Sequence, residues 1–141
     1  MSTFVMGAID PSIISEAIAE RQANSQTGAY NIFLGQVRSD VIDSKKVKAI
    51  KYSSHTSMAE KVFARIKSEA IQKYDLQNVT IAHSLGEVMS GEICLFVMVC
   101  SGHRDVAYTA SRYVVEEIKA QVPVFGQELF ADDSYVWKVN N

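Results

Sequence analysis

The chain has 141 residues, 48% of them hydrophobic, with a mean hydropathy of +0.01, a formal charge of −2 and an isoelectric point near 5.9. That length fits a single domain spanning 1–141 and is enough to bury a core. The slightly acidic balance argues against a nucleic-acid-binding face, which shows as a basic excess, but leaves room for a local basic pocket.

The opening MSTFVMGAIDPS lacks the basic and long apolar regions of a secretory signal. No apolar run in the chain is long enough to span a bilayer, so a cytoplasmic protein without membrane attachment is expected. Asp10-Pro11 then opens a helix, Asp10 as N-cap and Pro11 in the first turn, with Ile13, Ile14, Ala17 and Ile18 as its apolar stripe. Gly28 turns the chain into a strand over 29–35, followed by a polar loop or hairpin end over 36–46. The alternation in 47–52 predicts a half-exposed strand, and Met58, Val62, Phe63, Ile66 and Ala70 predict an amphipathic helix ending near Tyr74.

Residues 78–83 read as a strand, Leu85-Gly86 as a turn and 92–100 as a central strand. A third helix starts near His103 and is stopped by Pro123; 124–130 and 135–139 are short strands joined at Asp132-Asp133. The order α-β-β-α-β-β-α-β-β, with several hairpin-short connections, predicts an α+β fold with a mostly antiparallel sheet.

Cys94 and Cys100 lie about 20 Å apart if their run is extended at roughly 3.3 Å per residue, so they cannot bridge each other and read as buried reduced thiols. There is no metal-ligand spacing, phosphate-binding glycine loop or nucleophile elbow, and no metal or cofactor is expected. The adjacent carboxylate pairs Glu116-Glu117 and Asp132-Asp133 read as structural, and His55 and His83 as structural or exposed.

The remaining candidates are cations beside structural breaks. Arg38 follows one apolar strand, and His103-Arg104 follows another, where free N–H groups and a helix dipole favour an anion and a guanidinium adds a bidentate fork. Lys119 lies sixteen residues beyond His103. On one helix that is about 24 Å at 1.5 Å per residue, so both ends can serve one site only if the ligand is long or a second chain contributes.

TGAYNIFLGQVRSD (27–40), MAEKVFARIKSEA (58–70) and HSLGEVMSGEICLFVMVCSGHRDVAYTASRYVVEEIKAQVPVFGQE (83–128) together resemble the large, catalytic subunit of molybdopterin synthase. The resemblance implies an α/β hammerhead with an added antiparallel subdomain, and a sulfurtransferase. Its partner would be a small ubiquitin-like carrier whose C-terminal Gly-Gly thiocarboxylate threads into the large subunit. Sulfur would pass to cyclic pyranopterin monophosphate, a pterin phosphate, within a heterotetramer built on a homodimer of large subunits. By position, Arg38, His103 and Arg104 match substrate-binding residues, the last two acting across the dimer, and Lys119 matches the catalytic lysine. Gln36, Val37, Gly126, Gln127 and Glu128 are read with them as substrate-binding positions.

The chain departs from the family at Pro123-Val-Phe-Gly-Gln-Glu128, where a second functional lysine is common. Gly126 and Gln127 have no ammonium to offer, although Gly126 retains a backbone N–H for an anion or the carrier tail. Either the second lysine is dispensable, or Lys45, Lys46, Lys51 or Lys138 replaces it, or activity is reduced, as in a weak relative that only binds the carrier.

Overall fold

The computed structural model describes residues 2–139. Along the chain run β1 (Phe4–Met6), α1 (Pro11–Arg21), β2 (Ala29–Gln36), β3 (Val41–Ile42), β4 (Lys45–Ser54), α2 (Thr56–Tyr74), β5 (Asn78–Met89), β6 (Ile93–Ser101), α3 (Arg104–Gln121), β7 (Val124–Phe130) and β8 (Tyr135–Trp137). The strands form one sheet in the order β2-β6-β5-β4-β7-β8, with β1 added beside β5 and β3 beside β4. Among the described residues every pairing is antiparallel except β1–β5. The α+β expectation stands, and β3, β4, β7 and β8 form its antiparallel extension.

Alternation along β6 explains the layering. Leu95, Val97 and Val99 face α2 and α3, joining Phe63, Ile66, Ala110, Val114 and Ile118. Phe96, Met98 and Cys100 face the other way, against Ile9, Ala17 and the partly buried isoleucines of α1. Burial on both faces accounts for the nearly continuous apolar run of this strand. Both cysteines are buried and unbridged.

The boundaries hold where the pattern is strong. Asp10 caps α1, its side chain accepting from the Ser12 N–H at 2.9 Å. Asp75 closes α2 in the left-handed conformation. Within α2, Phe63, Ile66 and Ala70 are buried as expected, but Met58 is exposed and Ala59 takes the buried place.

Four readings of the sequence are changed or sharpened. β1 is an addition, three residues long and therefore too short for a periodic signal. The 36–46 segment contains the β3–β4 hairpin, turned by Asp43 and Ser44, both at positive φ. Leu85-Gly86 is not a turn: β5 continues through it, and Gly86, at φ +78°, marks where the strand leaves β6 and pairs with β4. Pairing with β6 ends at His83, and β1 runs parallel to 83–85. The last strand stops at Trp137 rather than 139.

Candidate functional site

A cleft of about 540 Å³ opens where the ends of β2, β6 and α3 meet the β4–β7–β8 extension. Its cations are Arg38, Lys119 and Lys138; its walls include Phe33, Tyr52, His83, Cys94, Phe125 and Trp137. The last turn of α3 delivers Lys119, because Ile118 beside it is anchored in the core. β2 delivers Gln36 and Arg38 through a register shift at Gly35/Gln36. The intervening Val37 is buried with Ile50, Val88 and Cys94, so it fixes its neighbours rather than lining the cleft.

The floor is polar and buried. His83 Nδ1 lies 2.8 Å from the Ser84 carbonyl. A carbonyl only accepts, so Nδ1 carries the proton and Nε2 is left as an acceptor. Burial pushes this imidazole below its ordinary pKa, and the Lys119 ammonium adds to that against the opposing hydrogen bond. The Tyr52 ring packs edge-on to His83 at 5.3 Å. Burial first, then the Cys94 thiol and the Glu128 carboxylate, push the Tyr52 phenol far above its usual range, so it remains a donor. Cys94 Sγ itself donates to the Gly35 carbonyl at 3.4 Å.

Glu128 is 7% exposed, and its Oε2 has no hydrogen-bond partner among the described residues. Its Oε1 lies 3.8 Å from Lys138 Nζ. Arg38 is largely exposed and leans on Asp40, its Nε 3.4 Å from Oδ1. Such an exposed pair is weak and leaves the guanidinium available to an incoming anion.

The sequence-derived candidates therefore divide. Gln36, Arg38, Lys119, Gly126 and Glu128 line one cleft. Gln127 lies between two lining positions of β7 and is not part of the wall. His103 and Arg104 stand exposed at the start of α3, outside the cleft, with His103 making no side-chain cap. The separation computed from helix length is thus a property of the fold. His83 and Tyr52 were missed as cleft residues: alternation identifies them as strand positions, but only the pairing of β4 with β5 brings their rings together.

These features define an α+β protein with a cation-bearing cleft at the seam between its main sheet and an antiparallel extension. Residues 8–121 match the family model described as MoaE protein, and the chain belongs to that family. It is 36% identical over 124 residues to the molybdopterin synthase catalytic subunit of Pyrococcus abyssi, covering 88% of this chain and 82% of the relative. Its identity to the subunit of that name from Emericella nidulans is 38% over 118 residues, covering 84% of this chain and 60% of the relative. The chain thus spans about three fifths of the fungal and rice relatives it matches. The fold superposes on a crystal structure of molybdopterin synthase from Staphylococcus aureus with a TM-score of 0.84 at 30% identity, covering 99% and 98% of the two chains.

Proposed function

We propose that this chain is the catalytic subunit of a molybdopterin synthase. It takes sulfur from the C-terminal Gly-Gly thiocarboxylate of a small ubiquitin-like carrier and delivers it to cyclic pyranopterin monophosphate in the cytoplasm. The observation that carries the reading is a MoaE-family fold whose cleft gathers Arg38 and Lys119 over a buried polar floor. The names of the relatives point the same way.

The chemistry suits these residues. The carrier's sulfur forms a C–S bond to a substrate carbon as a C–O bond at that carbon breaks. Water then cleaves the acyl–sulfur bond, leaving sulfur on the pterin and a carboxylate on the carrier. A second round completes the dithiolene without net oxidation. Negative charge builds on the departing oxygen, and a positioned ammonium from Lys119 stabilises it. The nucleophilic sulfur arrives on the partner, so Cys94 and Cys100 need no part in the transfer.

His103 and Arg104 enter as substrate-phosphate ligands contributed by a second copy of the chain. Their distance from the cleft supports this, as does the outer edge strand β2, which carries exposed Tyr30, Ile32 and Leu34. A heterotetramer of two large and two carrier subunits follows. The test mixes the protein with thiocarboxylated carrier and the cyclic pterin and measures dithiolene formation. Product with the wild type and none with Lys119→Ala is expected; no product with a competent carrier overturns the reading. Full activity from a strictly monomeric large subunit would overturn the role given to a second copy.

A further inference from the structure

Gly126 and Lys138 occupy one place in the sheet. The β7–β8 register pairs Gln127 with Trp137 and Glu128 with Val136. The Lys138 N–H then donates to the Gly126 carbonyl at 2.8 Å, carrying the ladder one residue past β8. Across the other edge of β7, Gly126 stands opposite Tyr52. Residues directly opposite each other project from the same face. Tyr52, Gly126, Glu128 and Lys138 accordingly all line the cleft.

Position 126 is also crowded. A Cβ there would lie 3.1 Å from Ile50 Cγ2, 3.4 Å from Tyr52 Cε1 and 3.6 Å from Lys138 Cβ. A side chain at 126 would press on Ile50 and come into ordinary contact with the path of the Lys138 stem. The glycine keeps that path open, and the lysine one strand over brings its ammonium to the same wall.

The other lysines on this part of the sheet are not in the cleft lining. Lys45 is bound to Asp132 at 2.9 Å and Lys48 to Asp133 at 3.2 Å. Lys51 stands opposite Gln127, which is outside the wall. Among the described lysines, only Lys119 and Lys138 line the cleft. The Lys138 ammonium lies 3.8 Å from Glu128 Oε1, longer than the 2.7–2.9 Å or so of a charge-assisted hydrogen bond. Glu128 keeps the ammonium at the cleft without saturating it, and its second oxygen, Oε2, has no hydrogen-bond partner among the described residues.

We propose that Lys138 is a second substrate-contacting cation of this cleft, held by Glu128 and acting with Lys119 on an anionic oxygen group. The inference rests on the sulfur-transfer reading for the identity of that group, which is either the pterin's cyclic phosphate or the carboxylate end of the carrier tail. Lys138→Met keeps the stem and removes the charge; Lys138→Arg keeps the charge.

In the reconstituted reaction, Lys138→Met should lower kcat/KM by about a hundredfold. Lys138→Arg should retain most activity. A raised KM for the pterin with unchanged carrier affinity assigns the contact to the phosphate; weakened carrier affinity assigns it to the tail. An active wild type with Lys138→Met equally active overturns the inference and leaves the sulfur-transfer reading standing. A second readout is independent of turnover: titration with inorganic pyrophosphate, followed by the shifts of the lysine side-chain resonances. If the wild type makes no product, weaker pyrophosphate binding by Lys138→Met still upholds the cation site while the reading of the reaction fails. Equal binding by both proteins then overturns the site as well.

Discussion

Replacing Gly28 by alanine tests how the fold fixes the start of α3. Gly28 precedes β2, and its N–H donates to the Ser101 carbonyl at 2.9 Å. A Cβ built at Gly28 would collide with the carbonyl oxygen of Gly102, a backbone atom that no rotamer change can move. Relieving such an overlap costs about 1–3 kcal/mol, and weakening the hydrogen bond adds about 1 kcal/mol. Stiffening of the unfolded chain returns about 0.4–1 kcal/mol. The net loss is roughly 1–3.5 kcal/mol, a fall in Tm of about 3–12 °C for a domain of this size. Gly102→Ala is the matched control, because a Cβ there meets nothing within 4 Å. Thermal unfolding by circular dichroism reads both. The reasoning is refuted if Gly28→Ala melts with the wild type, or if Gly102→Ala is the more damaged of the two.

Phe63→Ala should destabilise by about 3–5 kcal/mol, since the ring is fully buried against Phe4 and the sheet. Met58→Ala, exposed on the same helix, should stay within about 0.5 kcal/mol in denaturant titration. Because burial lowers the folded-state pKa of His83, the unfolded chain takes up that proton first as pH falls. Stability is therefore complete above the unfolded value near 6.5 and declines below it, by up to about 1.4 kcal/mol per pH unit from this group. His83→Gln should flatten the Tm profile between about pH 7 and 5; an unchanged slope would show that another group is responsible.

Much of the architecture was legible because its signals are local. Asp10-Pro11 starts a helix by capping chemistry, Pro123 ends one by removing a donor, and the run through Cys100 is apolar because both faces of β6 are covered. Gly86 was misread because positive φ serves a bend within a strand as well as it serves a turn, and only the change of partner from β6 to β4 tells them apart. Met58 was misplaced by one position, within the drift that a short apolar stripe permits.

The site was legible as a set of cations, through the helix end at Lys119, the strand end at Arg38 and the family resemblance. Its floor was legible only at Glu128, through the resemblance. Tyr52 and His83 come from two further strands, and the pairing that brings them to Glu128 has no trace in any one segment. Lys138 looked like one lysine among four candidates until the β7–β8 register set it opposite Gly126.

The most direct test of the sulfur-transfer reading follows the carrier rather than the pterin. Thiocarboxylated carrier is incubated with this chain and the cyclic pterin, and its intact mass is recorded with time. The account predicts conversion of the thiocarboxylate to a carboxylate that requires both the chain and the pterin and is lost in Lys119→Ala. A carrier that keeps its sulfur, or loses it equally without the pterin, would contradict it.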